Sequence, residues 1–454
     1  MDRGSHGGSA PECPYAGGLI ALHGPAAERD FDAVYAFMRR HRGPVVAVEI
    51  APGVAGWLVL GHREVLEVIW NARLFSSDPY RWSALSYGLL PKDTPLLPLL
   101  GPRPAVSRLD GDEHLRHRRA VIAVLEHIDP RRLSRLVRHR ADALVDAWAA
   151  RGTADLMAQY ARPVVWHVFA HLLGVSDGSV TTLDHLAATV VNGFPAAADA
   201  EAELLAAMRR LVAERSVAPA PDLPSWLAHA TPLTDDEIAH NLLALVLTGC
   251  ESTIGWIASA VRSFFAHDGP ARATAPGSLV PRLVEHALGT GAPVPNITGR
   301  WATADVVLAG CRIRAGDLVI PCLAAANADP QLRDTPVSRT RAHVAWGTGA
   351  HGCPAKDTAR VITESAVEVL LDRLPGLRPA APEAALLRRP SPWSGAPAEL
   401  PVVFSPDGPA DTCRGAVAPP LGIMDAPDKR RDDSAAAREA APQRWSWWNS
   451  LGGW

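Results

Sequence analysis

This sequence is short of several things. Its 454 residues include only six cysteines, five methionines, five tyrosines and eight phenylalanines, and its formal net charge is only −3. The cysteines are Cys13, Cys250, Cys311, Cys322, Cys353 and Cys413. Thiols so thinly spread do not form a disulfide framework, which points to a reducing cytoplasm. The small net charge offers no basic field for nucleic acid or anionic lipid; basic letters are scattered apart from short clusters such as RHRR at 116–119. No uninterrupted apolar run reaches the length of about 18 residues that a membrane-spanning helix needs. The start, MDRGSHGGSAPECPYAGG, lacks a basic region feeding an apolar one and does not read as a signal peptide.

What is present is 48% apolar and 20% charged, the composition of a soluble globular chain with a large core. Residues 1–25 are expected to be flexible and 26–405 to form one domain. The pieces VVAVEIA (45–51) and GWLVLG (56–61) predict a hairpin around Pro52-Gly53. Helices are expected over 31–41, 62–70, 129–150 and 155–174. The most apolar helix lies within 231–267, with Thr234 and Glu237 spaced as a capping box and Gly249 near its middle. Residues 76–110 show no period and read as a long loop. Another helix is expected near 278–288, a small sheet over 301–326, a helix over 357–374 and a last strand at 400–405. Residues 406–454 read as a disordered tail. Its end, RWSWWNSLGGW, holds four of the 14 tryptophans and is either a biased extension or a docking element for a protein partner.

The stretch AWGTGAHGCPAKD, 345–357, carries the chemistry. Gly347, Gly349 and Gly352 leave room for a tight turn or a close flat ligand. Pro354 suits the first turn of a helix, which puts Cys353 at a helix N-terminus where free N–H groups stabilise a thiolate. Such a thiolate can be a nucleophile with His351 as base, a metal ligand or a haem ligand, or the thiol can be structural and buried. Zinc lacks a clear fourth ligand beside His343, His351 and Cys353.

HVAWGTGAHGCPAK, 343–356, resembles the haem-binding loop of the cytochrome P450 family, whose pattern is aromatic, Gly, any, Gly, any, His or Arg, any, Cys, any, Gly or Ala. Trp346, Gly347, Gly349, His351, Cys353 and Ala355 stand at those positions. DEHLRHRR (112–119) resembles the helix whose His and Arg bind a haem propionate, which implies His114 and Arg118; alone it could be an exposed basic helix. GRWATADVVLAG (299–310) resembles the strand that implies Arg300, with His351 a further propionate donor. TGCEST (248–253) resembles the oxygen-activation motif, with Gly249 opening the helix and Glu251, Ser252 and Thr253 handling protons; a buried cluster of back-bonding hydroxyls is the alternative. The resemblance implies a mainly α fold with a small β region, a long central helix over haem b (iron-protoporphyrin IX), and Cys353 as iron ligand. It implies a monooxygenase acting on an apolar small molecule with electrons from a ferredoxin and ferredoxin reductase. A peroxide-driven enzyme and a haem-bearing interaction module are the alternatives. By the same analogy, helices around 177–212 and the loop at 76–108 line the substrate pocket, with Trp82, Leu85, Leu89 and Leu90 as walls.

One family feature is missing. The Glu-x-x-Arg pair falls on His286 and Gly289 in LVEHALGTGAPVP (283–295), and Glu285 has Leu288 three places on. The segment before the cysteine loop is also shortened, so the whole ion-pair network is expected to have been removed together. AHVAWGTGAHGCPAKDTAR, 342–360, is similar to an actinobacterial subgroup that lacks the pair, as are RWSALSYG (81–88) and ANADP (326–330).

Overall fold

The computed structural model describes residues 18–23, 31–91, 94–266, 276–290, 292–333, 343–383, 386–389 and 391–406, all within the unit Met1–Pro406. The expectations for residues 1–17 and for the tail beyond 406 lie outside the described residues.

Alternating apolar letters build a six-stranded sheet, in the spatial order Ile20–Ala21, Val45–Ala51, Val54–Val59, Leu318–Pro321, Arg300–Ala302, Phe75–Ser76. The expected hairpin is there, with Val45 opposite Val59 and Ala51 opposite Val54. Residues 20–21 were expected to be flexible; they instead pair in parallel with Val48 and Glu49. Phe75 pairs with Ala302 and Ser76 with Trp301, which sets Ser76 and Ser77 beside Arg300. Two smaller sheets join Arg378–Pro379, Pro401–Val403 and Thr153–Asp155, and Val306–Leu308 with Cys311–Ile313.

Five helices frame the site: α1 (Gly111–Leu125), α2 (Arg162–Leu173), α3 (Asp235–Ala266), α4 (Pro276–Thr290) and α5 (Lys356–Arg373). Asp112 and Glu113 in the first turn of α1 suit the positive end of the helix dipole. In α2, Pro163 in the first turn has no N–H to give, and the Gln159 carbonyl four residues back accepts from Trp148 Nε1 at 3.3 Å. The Thr234–Glu237 capping box starts α3 as expected. This 32-residue helix is long and apolar enough to cross a membrane, but 72% of its most apolar window is buried inside the protein, so it serves as a core helix. Trp166 of α2 and Trp256 of α3 are among the largest fully buried side chains.

Two expectations change. The run 76–110 carries short helical turns at Pro79–Arg81, Ser83–Ser86, Leu97–Leu100 and Val106–Arg108. Each is too short to give a helical hydrophobic period, so the sequence reads there as irregular. The small sheet ends at Pro321, and Leu323–Asn327 is helical.

Candidate functional site

The cysteine loop is built by its glycines. Gly347 and Gly349 have φ of 64° and 67°, a region L side chains rarely adopt. Gly347 N–H donates to Val344 O at 2.8 Å, and Cys353 N–H donates to Trp346 O at 2.8 Å, closing the loop on itself. Contrary to expectation, Cys353 and Pro354 precede the helix: α5 begins at Lys356, with Ala355 as its N-cap. Burial pushes the Cys353 thiol above its ordinary value, against the lowering effect of the Ala355 N–H, Arg118 and Lys356. Amide donation alone therefore does not make the thiolate, because desolvation wins in this loop.

A cavity separates this loop from α3. Trp346, Gly347, Cys353 and Ala355 line it on one side, and Thr248, Gly249, Ser252 and Thr253 on the other; Arg108, Arg118, Arg300 and His351 also border it. Arg300 is buried and, among the described residues, hydrogen-bonds only to its neighbour's carbonyl, Gly299 O. Neither Arg118 nor Arg300 forms an ion pair with an acidic side chain among the described residues.

His114 does not line the cavity. It is buried and stacks on His351 with ring centroids 4.0 Å apart, and its Nε2 has no hydrogen-bond partner. Burial, then the charges of His351 and Arg118, pushes His114 down to about 4. Burial also lowers His351, whose Nε2 contacts Ser77 Oγ at 3.1 Å and Asp110 Oδ1 at 3.4 Å. Burial thus disfavours the charged form of both imidazoles, while Arg118 and Arg300 bring positive charge to this edge. Asp110 and Ser77 are unforeseen parts of the site. Ser76 Oγ and Ser77 N–H donate to Asp110 Oδ2 at 2.6 and 2.9 Å.

On α3, Val246–Cys250 forms a π-helical turn. Such a turn inserts one residue and offsets the helix faces on either side of it. Thr248 Oγ1 donates to Ala244 O at 2.6 Å, while Ser252 Oγ and Thr253 Oγ1 donate to Gly249 O at 3.2 and 2.7 Å. A Cβ at Gly249 would lie 2.9 Å from Phe169 Cζ, so this glycine also admits a ring from α2. Glu251 is buried, and Oε1 accepts from Arg162 Nη2 at 2.5 Å; Arg162 also pairs with Asp184. Glu251 Oε2 has no hydrogen-bond partner, and the nearest cation on that side, Arg389, is 3.9 Å away.

The missing family pair has a replacement, which corrects the expectation that the network was lost whole. Glu285 on α4 accepts from Arg360 on α5 at 2.8 Å and contacts His343, at the entry to the cysteine loop, at 3.0 Å. The family pair stands three places apart on one helix, whereas here the partner lies 75 residues downstream. The Arg360 guanidinium also sits 5.7 Å from the Trp256 ring centroid, and Trp256 meets Trp346 edge-on at 4.8 Å. Asn327, from the ANADP segment, donates to Leu288 O at 3.0 Å and accepts from Val344 N–H at 2.8 Å. Burial alone would raise Glu285, but Arg360 and His343 outweigh it and hold the carboxyl below its ordinary 4.5. Its stabilising effect is therefore complete above about pH 4.5 and lost on acidification below that value. Glu285→Gln is expected to cost about 1–2 kcal/mol at pH 7 and much less at pH 3, read by urea denaturation. The double variant His286→Glu with Gly289→Arg is expected to be neutral or destabilising, because Glu285 already holds Arg360. A gain above about 1 kcal/mol would refute this.

The expected pocket wall moves. Trp82 packs on Trp301 in the core, Leu89 is exposed, and neither they nor Leu85 and Leu90 line the cavity. From 76–108, Leu99, Val106, Ser107 and Arg108 take that role, and from 177–212 only Val191 does. Glu113, His117 and Glu237 also cluster closely enough to suit a metal, but Arg116 lies among them and hydrogen-bonds to both carboxylates.

No family model matches the chain. It is 32% identical over 386 residues to the mycinamicin IV hydroxylase/epoxidase of Micromonospora griseorubida, covering 80% of this chain and 92% of that one. It is 31% identical over 351 residues to cytochrome P450-SU2 of Streptomyces griseolus, covering 75% and 85%. Among solved structures, CYP154C4 from Streptomyces sp. W2061 matches with a TM-score of 0.76 at 26% identity, over 85% of this chain and 99% of that one. These likenesses cover most of both chains, and the chain belongs to the cytochrome P450 family of haem-thiolate monooxygenases.

Proposed function

We propose that the cavity between the cysteine loop and α3 holds haem b, with Cys353 Sγ as the protein ligand of its iron. The family implies this cofactor, and the residues fit it. A thiol lies across one cavity from a widened helix turn, and Arg118 and Arg300 border that cavity without an acidic partner among the described residues. That juxtaposition carries the reading. Two unmatched guanidiniums suit the two carboxylates of the porphyrin, with His351 and the unpartnered His114 Nε2 as further hydrogen-bond donors.

Haem b bound there supplies one-electron reduction and the transfer of one oxygen atom from dioxygen to an organic substrate. The chain's own residues do the rest. Glu251 Oε1 is fixed by Arg162, while Oε2 is without a hydrogen bond and able to hold a proton. Ser252 and Thr253, which follow Glu251 in the chain and line the cavity, pass protons from this carboxyl to it. Leu99, Val191, Leu245 and Val294 give the substrate an apolar enclosure. Electrons come from a separate ferredoxin and ferredoxin reductase. The depression beside Cys353 is bordered by Arg118, Lys356 and Arg360 and by the carboxylates of Glu285 and Asp357, and its excess of cations suits an acidic donor. A cytoplasmic location fits a chain whose membrane-length helix is buried in its own core.

The test is spectroscopic. The reduced protein exposed to carbon monoxide is expected to give the red-shifted absorbance band of a thiolate-ligated haem; its absence refutes the assignment. Product formation with a ferredoxin system, compared with hydrogen peroxide alone, separates a dioxygen-using enzyme from a peroxide-driven one. Inactivity in both arms favours a haem-bearing interaction module.

A further inference from the structure

The cavity holds one cation more than a porphyrin's two carboxylates require. Arg108 lines it, is 5% exposed, and has no acidic partner among the described residues. Its Nη1 donates to Thr298 O at 2.7 Å and its Nη2 to Leu99 O, but its Nε–H is buried without an acceptor. The acid felt most closely by this group is Glu201, which is already bridged to Arg103 at 2.6 Å. Burial, then Arg103 and Arg300, holds Arg108 well below its ordinary value. A guanidinium nonetheless keeps its proton inside proteins, so the site carries an uncompensated charge. The group is also held in place. Val106 N–H donates to Asn241 Oδ1 on α3 at 3.0 Å, and two backbone carbonyls orient the guanidinium, leaving three of its five N–H groups to give.

We propose that Arg108 receives a carboxylate within the cavity and that the substrate supplies it, so that the substrate class is an organic acid with an apolar body. This rests on the haem reading above, which assigns Arg118 and Arg300 to the propionates. A carboxylate at Arg108 would make a charge-assisted bond to the guanidinium in a water-poor site, where such a bond is strong. Leu99, Val191, Leu245 and Val294 would take the apolar remainder.

The experiment uses the haem-loaded protein and matched probes: dodecanoic acid, 4-phenylbutanoic acid and their methyl esters. Binding is read from the spin-state shift of the haem absorbance and by calorimetry. At least one acid is expected to bind roughly thirtyfold more tightly than its ester, and Arg108→Gln is expected to erase that difference by weakening the acid alone. Haem retention of the variant is expected to match wild type, and substrate-free thermal stability to be equal or higher, because an unpaired buried charge has gone. Acids binding no better than esters, or not binding, would overturn the proposal. So would faster haem loss in Arg108→Gln with acid preference intact, which would make the third carboxylate contact a propionate one. A protein without the carbon monoxide band would instead refute the haem reading itself.

Discussion

Replacing Cys353 by alanine is expected to abolish the thiolate-type carbon monoxide band outright while leaving the fold standing. The loop does not depend on the sulfur for its shape. Its closure comes from the Cys353 N–H to Trp346 O bond and from the positive-φ glycines, all backbone features that alanine keeps. What alanine removes is the one soft donor atom on this side of the cavity. Cys250 and Cys322 are fully buried elsewhere and do not line the cavity, so they cannot take over. The unfolding free energy of the haem-free protein should change by less than about 1 kcal/mol. Paired measurement of the carbon monoxide spectrum and urea denaturation separates ligand loss from misfolding. A Cys353→Ala protein that keeps the band would refute the assignment.

The second large effect concerns Arg162 and Glu251. Arg162 joins the buried Glu251 to Asp184. Arg162→Leu leaves one buried and one half-buried carboxylate with only the distant Arg389, and should cost about 3–5 kcal/mol. Removing the whole cluster in Arg162→Met, Asp184→Asn and Glu251→Gln should recover most of that loss, because no uncompensated charge remains. Glu251→Gln alone behaves differently. Arg162 still has Asp184, so stability should fall by only about 1 kcal/mol. Product formation should fall about 100-fold, the scale of a lost proton donor, with the carbon monoxide band unchanged. Electron-donor consumption without product would show the same defect from the other side. Normal turnover in Glu251→Gln would remove the carboxyl from the proton route.

Features set by local chemistry were legible in the sequence. The hairpin at Pro52-Gly53, the Thr234 capping box and the glycine pattern of the cysteine loop all depend on neighbours a few residues apart. Contacts made across the fold were not. Arg162 carries no motif, and nothing in its surroundings announces that it would meet Glu251, 89 residues on. Asp110 stands at the N-cap position of α1, yet its carboxylate makes no cap bond and turns to Ser76, Ser77 and His351. The Glu285 network was misread for the same reason: spacing rules find partners within one helix, whereas α4 and α5 meet only after the chain folds. Its members were visible without their meaning, since Asn327 and Arg360 both stood inside segments already singled out as similar to the family.

The position of that brace also governs how this chain can be recombined. Glu285 precedes the strand Arg300–Ala302, and both His343 and Arg360 follow it. In a chimaera with a relative that keeps its ion pair inside one helix, any crossover between residues 290 and 343 takes the carboxylate from one parent and the positions of its two partners from the other. Workable junctions fall before α4 or after α5, so that residues 276–373 travel as one inheritable block.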